Sequence, residues 1–171
     1  TETGEPLNNA IVWQCRRTAD FFLSLRAAGH ENTVRRKSGL VLDPYFSGSK
    51  YRWLLNNTPG ISRALKSKRV AAGTIDSFLI WRLTGGDVHV TDVSNASRTS
   101  LMNLKTGRWD QQLLNLFEVP REILPSIVPS SAILGRTRGV PSLPDGIPIS
   151  GVSGDQQAAL FGQACFDIGD A

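Results

Sequence analysis

The sequence contains few residues of the types that build metal centres and disulfide frameworks. Only two cysteines, one methionine and two histidines occur among its 171 residues. Cys15 and Cys165 form neither a CxxC motif nor any spacing typical of a zinc site, so we expect two reduced thiols and no bound metal. His30 and His89 have no cysteine or carboxylate neighbour at ligand spacing and are interpreted as surface or strand residues.

Long apolar runs and a strong charge imbalance are also missing. No stretch approaches the roughly 18 apolar residues that a membrane-spanning helix requires, and we expect neither a membrane span nor a signal peptide. The formal net charge of +4 suits an anionic ligand but is too small and too scattered to predict nucleic-acid binding. The composition, with 40% hydrophobic and 20% charged residues, is typical of a globular domain. We expect a cytoplasmic protein.

The most informative segment covers residues 149–162. Its pattern predicts a buried strand, a glycine turn and a helix that begins with an acid, Asp155. Open α/β folds bind their ligands at the carboxyl ends of the strands, where this acid is expected. A carboxylate followed by the amides of Gln156 and Gln157 suits a site that orients a polyol and accepts a hydroxyl proton.

Hydrophobic periodicity and turn residues predict helices that alternate with a few strands, and therefore an α/β fold. Strands are predicted at 10–13, 88–91, 101–104 and 148–152, and residues 125–148 are interpreted as a surface connection with one short strand at 133–134. Helices are predicted over 18–28, 32–37, from Ser47 or Ser49 to 57, over 74–84, from Asp110 to 117 or 118, after Pro120, and from Asp155. The helix over 74–84 is expected to turn Ile75, Phe78, Leu79 and Leu83 inward.

Five segments that span nearly the whole chain resemble the FGGY carbohydrate kinases in sequence and in order. They are residues 9–18 (NAIVWQCRRT), 43–48 (DPYFSG), 73–81 (GTIDSFLIW), 91–99 (TDVSNASRT) and 150–163 (SGVSGDQQAALFGQ). The form Gly-Asp-Gln-Gln at 154–157 is similar to that of family members that phosphorylate glycerol rather than sugars.

The resemblance implies an actin-like ATPase or ribonuclease H-like fold, with a mixed sheet flanked by helices. It implies ATP-dependent phosphorylation of glycerol to glycerol 3-phosphate, with Mg²⁺ accompanying ATP, in an intact enzyme that we expect to be a homo-oligomer. Residues 1–171 would be the C-terminal portion of the first, substrate-binding domain, and the second, nucleotide-binding domain would be absent. We therefore expect a piece of a longer protein that binds no cofactor tightly and is inactive alone.

The resemblance also assigns roles to individual residues. Asp155 is implied as the catalytic base, Gln156 and Tyr45 as hydrogen-bonding contacts of glycerol, and Trp13 as an apolar wall against its carbon atoms. Each residue has a structural interpretation as well. Asp155 would be only an N-cap that bonds an amide two or three residues ahead, and Gln156 an exposed first-turn residue. Tyr45 would be a half-buried loop aromatic and Trp13 a core side chain.

Other charged residues are interpreted structurally. Arg16 and Arg17 suit an ion pair better than a phosphate anchor, and Asp92 with residues 95–97 is expected to brace the cleft through turn hydrogen bonds. Two further functions remain open: a kinase for another polyol or ketose, and a non-catalytic actin-like module that binds a partner.

One prediction concerns regulation. Bacterial family members that phosphorylate glycerol and respond to fructose 1,6-bisphosphate carry a glycine-rich loop with Lys and Arg before the last strand. The corresponding residues here, 138–146 (RGVPSLPDG), contain two prolines and an acid where a phosphate site needs cations and open amides. We expect fructose 1,6-bisphosphate to inhibit the full-length enzyme weakly or not at all when it is titrated at fixed ATP. Strong inhibition would contradict this prediction.

Overall fold

The computed structural model describes residues 4–170 and contains both helices and strands, as expected for an α/β protein. The two do not alternate regularly, because five helices precede the first strand in that range. The helices are α1 (Ala19–Ala27), α2 (Glu31–Ser38), α3 (Ser47–Asn57), α4 (Ile61–Lys66), α5 (Ile75–Leu83), α6 (Val93–Ala96), α7 (Gln111–Leu116) and α8 (Asp155–Gly162). The strands are β1 (Val90–Asp92), β2 (Met102–Asn103), β3 (Arg108–Trp109), β4 (Ser126–Val128), β5 (Ser131–Arg136) and β6 (Pro148–Gly151). Short 3-10 helices cover Ser97–Thr99 and Arg121–Ile123.

The chain divides into two compact units. The first comprises the residues up to Gly73 together with Ala96–Pro125, and the second comprises Thr74–Asn95 together with the residues from Ser126 onward. No helix within residues 4–170 is long and apolar enough to cross a membrane.

The first unit surrounds an apolar core. Its members are Phe22, Leu25, Val34, Leu42, Tyr51, Leu101, Leu113, Leu114, Phe117, Val119, Ile123 and Leu124. Phe22 on α1 meets Phe117, which follows α7, edge to face with 6.1 Å between ring centroids. Gly48 lets α3 approach closely, because a Cβ there would lie 2.6 Å from the carbonyl oxygen of Thr99.

Helix ends in this unit largely follow the predicted signals. Helix α2 ends at Gly39, which adopts the left-handed conformation with φ 73°. Asp110 caps α7, since its side chain accepts the amides of residues 112 and 113. Thr18 precedes α1 as predicted, but its hydroxyl bonds the hydroxyl of Ser49 (2.9 Å) instead of capping the helix. Helix α4 was not predicted, and it begins after Gly60, whose φ is 77°.

The second unit carries two separate strand pairs. Strands β1 and β4 pair in parallel with Val90 opposite Ser126, and β5 pairs antiparallel with β6. The first unit adds the antiparallel pair β2–β3. Parallel and antiparallel pairing both occur within residues 4–170, but in separate two-stranded sheets rather than in one mixed sheet.

Three predictions about strands need correction. Residues 10–13 form no strand, because nothing among residues 4–170 pairs with them, and the amide of Cys15 closes a turn on the carbonyl of Val12 (3.1 Å). Strand β6 lies where predicted but is mostly exposed, because in the described chain it pairs with β5 alone. Residues 125–148 hold both β4 and β5, where a surface connection with one short strand was expected.

The prediction of which α5 residues face inward is also wrong. Ile75, Phe78 and Leu79 are 66%, 43% and 50% exposed, whereas Asp76 and Ser77 are buried. The carboxylate of Asp76 accepts the hydroxyl of Thr91 on β1 at 2.7 Å. This buried hydrogen bond selects the face of α5 that points inward, and the apolar face stays outside.

Asp110 joins three parts of the first unit. Besides capping α7, it accepts hydrogen bonds from Lys37 Nζ and Asn103 Nδ2, both at 2.8 Å. Burial alone raises the pKa of Asp110, but the hydrogen bonds from Lys37, Asn103 and the amide of Leu113 outweigh it and lower the pKa. A lowered carboxyl pKa stabilises the fold above the unfolded pKa, and the stabilisation is lost as pH falls through the folded pKa.

We predict that Asp110→Ala lowers the free energy of unfolding by about 2 kcal/mol at pH 7, since the cap and the ion pair are both lost. The difference from wild type should shrink once the pH falls below the ordinary aspartate value of about 3.9. Urea unfolding of the complete protein at several pH values measures both effects. Glu122→Ala removes an exposed carboxylate and serves as the control. Equal stability of Asp110→Ala and the control would contradict the prediction.

Candidate active site

Asp155 is the first residue of α8 and is exposed. The N-cap is Gly154, whose extended backbone (φ −61°, ψ 150°) lets its carbonyl accept the amide of Ala158 at 2.8 Å. One carboxylate oxygen of Asp155 accepts the adjacent amide of Gln156 at 2.8 Å. The interpretation of Asp155 as only an N-cap is therefore wrong, and its carboxylate lies at the surface of the second unit.

Gln156 and Gln157 are both exposed on the first turn of α8. They lie on different sides of the helix, because successive residues are separated by about 100°. Gln157 folds back over the turn, so that a Cβ at Gly154 would lie 2.7 Å from Gln157 Oε1. Gln156 presents an amide with both a donor and an acceptor beside the carboxylate of Asp155.

Asp92 organises the segment between β1 and α6. It is fully buried (0% exposed), and its carboxylate accepts five hydrogen bonds. Two come from the amide and hydroxyl of Ser94, two from the amide and side chain of Asn95, and one from the hydroxyl of Ser130. The expected turn hydrogen bonds of Asp92 are present.

The two aromatic candidates lie together in the first unit. The ring centroids of Trp13 and Tyr45 are 5.7 Å apart with a tilt of 52°. Trp13 is 59% exposed, which rules out a core role within the described chain, and Tyr45 is 37% exposed. Tyr45 also meets Phe46 edge to face at 5.2 Å. The pair therefore forms an exposed aromatic surface with one phenol group.

The backbone of Tyr45 is held on both sides. Its amide donates to the carboxylate of Asp43 at 2.8 Å, and its carbonyl accepts Lys50 Nζ at 2.8 Å. Lys50 is only 6% exposed, and this burial lowers the pKa of its ammonium group. The two charged side chains fix the loop that carries the phenol.

Arg16 and Arg17 make structural contacts. Arg16 forms an exposed ion pair with Asp43 at 3.5 Å, as the sequence suggested. Arg17 instead stacks on Trp53, 4.5 Å from the ring centroid, and its Nε donates to Cys15 Sγ at 3.0 Å. Hydrogen bonds from the backbone and side chain of Arg17 lower the pKa of the Cys15 thiol.

Polar groups in and beside the loop between β5 and β6 are already engaged in hydrogen bonds. Its residues line part of a surface cavity of about 430 Å³. Arg138 donates to Asp87 at 2.6 Å, Arg136 donates to the carbonyl of Gly146 at 2.9 Å, and the amide of Gly139 donates to Asp145 at 2.8 Å. Both cations and one amide are thus already bonded, which favours the predicted weak response to a bisphosphate.

Residues 4–170 contain no group of three His, Cys, Asp or Glu side chains arranged to hold a metal ion. His30 precedes α2, and its carbonyl accepts the amide of Val34 at 3.1 Å.

The fold and these residues define the class of protein. The model of the FGGY family of carbohydrate kinases, N-terminal domain, matches residues 1–162, and the chain belongs to this family. Its architecture is accordingly that of the actin-like ATPases.

The chain is similar in sequence and in structure to individual kinases of this family. The chain is 56% identical over 170 residues to a glycerol kinase of Bdellovibrio bacteriovorus, covering 99% of this chain and 34% of that protein. A crystal structure of Plasmodium falciparum glycerol kinase with ADP superposes with a TM-score of 0.92 at 38% identity, covering 98% of this chain and 33% of that chain. A gluconate kinase from Lactobacillus acidophilus gives a TM-score of 0.68 at 30% identity, covering 79% and 26%. The chain thus spans about a third of the length of these relatives.

Sequence reasoning did not identify Ser94, Ser130 or Lys50. Ser94 lies inside a segment that resembles the family, and a serine two residues after an aspartate is typical of a local turn. Ser130 lies 38 positions from its partner Asp92. Lys50 has no distinguishing pattern around it. Only the folded structure brings these side chains to their partners.

We predict that Asp92→Asn destabilises the protein by about 3 kcal/mol at pH 7, because an amide group would then face buried donors. Burial raises the pKa of Asp92, but the hydrogen bonds from Ser130, Ser94 and Asn95 outweigh it and lower the pKa. The carboxylate therefore stabilises the fold above the unfolded pKa, and this contribution is lost as pH falls through the folded pKa.

Denaturant unfolding of the complete protein between neutral and acidic pH measures this effect. The gap between wild type and Asp92→Asn should close in acid. Asp87→Asn, which removes an exposed ion-pair partner of Arg138, is the control and should cost less than about 1 kcal/mol. A gap that stays constant across the pH range would show that Asp92 does not act through its charge.

Proposed function

We propose that this chain is part of the substrate-binding domain of an ATP-dependent kinase that converts glycerol to glycerol 3-phosphate. The observation that carries the proposal is the exposed carboxylate of Asp155 at the first residue of α8. It stands within a chain that is 56% identical to a protein named glycerol kinase.

Phosphoryl transfer requires positioning, charge stabilisation and one group that orients the attacking hydroxyl. We assign this last role to Asp155. Its carboxylate would accept the hydroxyl proton of glycerol as the hydroxyl oxygen bonds to the γ-phosphorus of ATP and the bond from that phosphorus to ADP breaks. A weak base is sufficient, because the proton leaves late in a loose transition state.

Three further residues are proposed as glycerol contacts. The amide of Gln156 can donate to one hydroxyl and accept from another, and the phenol of Tyr45 can donate or accept. The exposed ring of Trp13 would cover the carbon atoms of glycerol. The held backbone of Tyr45 supports its assignment, since a fixed phenol loses little entropy when the substrate binds.

ATP is the proposed phosphoryl donor, and the solved P. falciparum relative contains ADP. Mg²⁺ would neutralise phosphate charge when it enters with ATP. We further propose that the intact enzyme is a cytoplasmic homo-oligomer.

A kinase for another polyol or ketose is the second candidate, because a gluconate kinase shares the fold. Activity of the full-length protein on glycerol, dihydroxyacetone and xylulose separates the two. The highest kcat/KM on glycerol supports the proposal, and a higher value on xylulose overturns its substrate assignment.

We predict that Asp155→Asn in the full-length enzyme lowers kcat for glycerol phosphorylation by about a thousandfold, since general-base catalysis contributes roughly that factor. KM for ATP should change little. A coupled ADP-release assay with glycerol measures both constants.

Asp167→Asn is the matched control, because Asp167 is another exposed acid of the second unit. It should retain wild-type kcat. If Asp155→Asn also retains wild-type kcat, Asp155 is not the base. If the wild-type protein itself shows no glycerol-dependent turnover, the non-catalytic partner-binding module is favoured.

A further inference from the structure

The hydroxyl of Ser94 links the buried Asp92 to the start of α8. Its Oγ donates to Asp92 Oδ2 at 2.5 Å and accepts the amide of Gly154 at 2.7 Å. Gly154 is buried and immediately precedes Asp155. A contact across 60 positions of sequence therefore ends one residue before the proposed base.

A second link reaches the same turn. The hydroxyl of Ser130 also donates to Asp92 Oδ2 at 2.5 Å, and the carbonyl of Ser130 accepts the amide of Val152 at 2.9 Å. Asp92 Oδ2 thus accepts hydrogen bonds from both serine hydroxyls. Ser94 in turn accepts the amide of Gly154, and Ser130 accepts the amide of Val152. We call Asp92, Ser94 and Ser130 the serine–aspartate bracket.

Helix α8 has little other anchorage in the described part of the chain, where none of its eight residues is buried. Its position within the second unit therefore depends on the turn that precedes it. Hydrogen bonds to main-chain amides fix the path of that turn without using any of its side chains. The carboxylate of Asp155 takes its direction from this path.

We propose that Ser94 is a positioning residue that holds Asp155 in line for proton acceptance, with Ser130 and Asp92 as its support. This inference rests on the proposed function. Ser94 does not touch the substrate and acts only through the Gly154 amide.

The role requires a hydroxyl, because one group must donate to the carboxylate and accept an amide at the same time. Threonine supplies both functions, and Ser94 is half-buried rather than fully enclosed. Alanine supplies neither, and it leaves a buried amide of Gly154 without this acceptor. A displacement of about 1 Å at a catalytic group costs roughly a hundredfold in rate.

The test uses the full-length enzyme with glycerol and ATP. Ser94→Ala should lower kcat between about tenfold and a hundredfold while KM for ATP stays within about threefold, since only positioning at the reacting hydroxyl is lost. Ser94→Thr should retain kcat within about threefold. Ser142→Ala, which removes an exposed hydroxyl elsewhere in the second unit, is the control and should behave as wild type.

The same substitution in an Asp155→Ala background separates positioning from general damage. With the base removed, Ser94→Ala should lower the residual turnover by less than about twofold, because the carboxylate that Ser94 positions is no longer present. Equal losses in both backgrounds, or a wild-type kcat for Ser94→Ala, would overturn the inference. Wild-type turnover of Asp155→Ala itself would instead overturn the proposed base, so the two failures are distinguishable.

Discussion

A buried negative charge determines how the second unit is organised. Removing a carboxylate from water costs several kcal/mol unless donors replace the lost hydration, and Asp92 is fully buried. Five hydrogen bonds from three residues meet that requirement. Ser94 and Asn95 lie within three positions of Asp92, whereas Ser130 lies 38 positions away. Satisfying the charge therefore joins residues 92–95 to the residue that precedes β5. The turn before Asp155 is attached to the same cluster through Ser94 and Ser130.

In the first unit, the loop that carries Tyr45 of the Trp13–Tyr45 pair is fixed by local contacts rather than by a shared buried carboxylate. Its helices pack around an apolar core, and polar contacts act locally at the loop that carries Tyr45. Asp43 and Lys50 hold the amide and the carbonyl of that residue. Lys50 is itself buried, so moving it would leave a charge without its carbonyl partner. In each unit, hydrogen bonds between charged or hydroxyl side chains and the main chain therefore fix the backbone at or beside one candidate residue. That residue is Tyr45 in the first unit and Asp155 in the second.

Local signals predicted much of the secondary structure, whereas the roles of the candidate site residues came from the resemblance to the family and stay a prediction. Asp110 at a helix start and Gly39 at a helix end were recognisable, because their effects act within a few positions. The face of α5 was predicted wrongly, since the partner of Asp76 lies 15 positions away on β1. Helix periodicity gave no weight to that hydrogen bond.

The strand expected at residues 10–13 failed for a related reason. Apolar, β-branched composition favours a strand, but a strand also needs a partner, and none lies within the described residues. Ser94 and Ser130 could not be assigned from the sequence, because the Gly154 amide lies 60 positions from Ser94 and Asp92 lies 38 positions from Ser130. Long-range polar contacts were the common cause of the errors and omissions.

The attachment of the turn before α8 has an evolutionary consequence. Val152 and Gly154 are held by their main-chain N–H groups, which any replacement except proline would keep. An exposed neighbour such as Gln156 can therefore diverge without loss of these two main-chain hydrogen bonds. A lineage could exchange one sugar or polyol for another while its chemical step was preserved, which suits a fold shared by proteins named for glycerol and for gluconate.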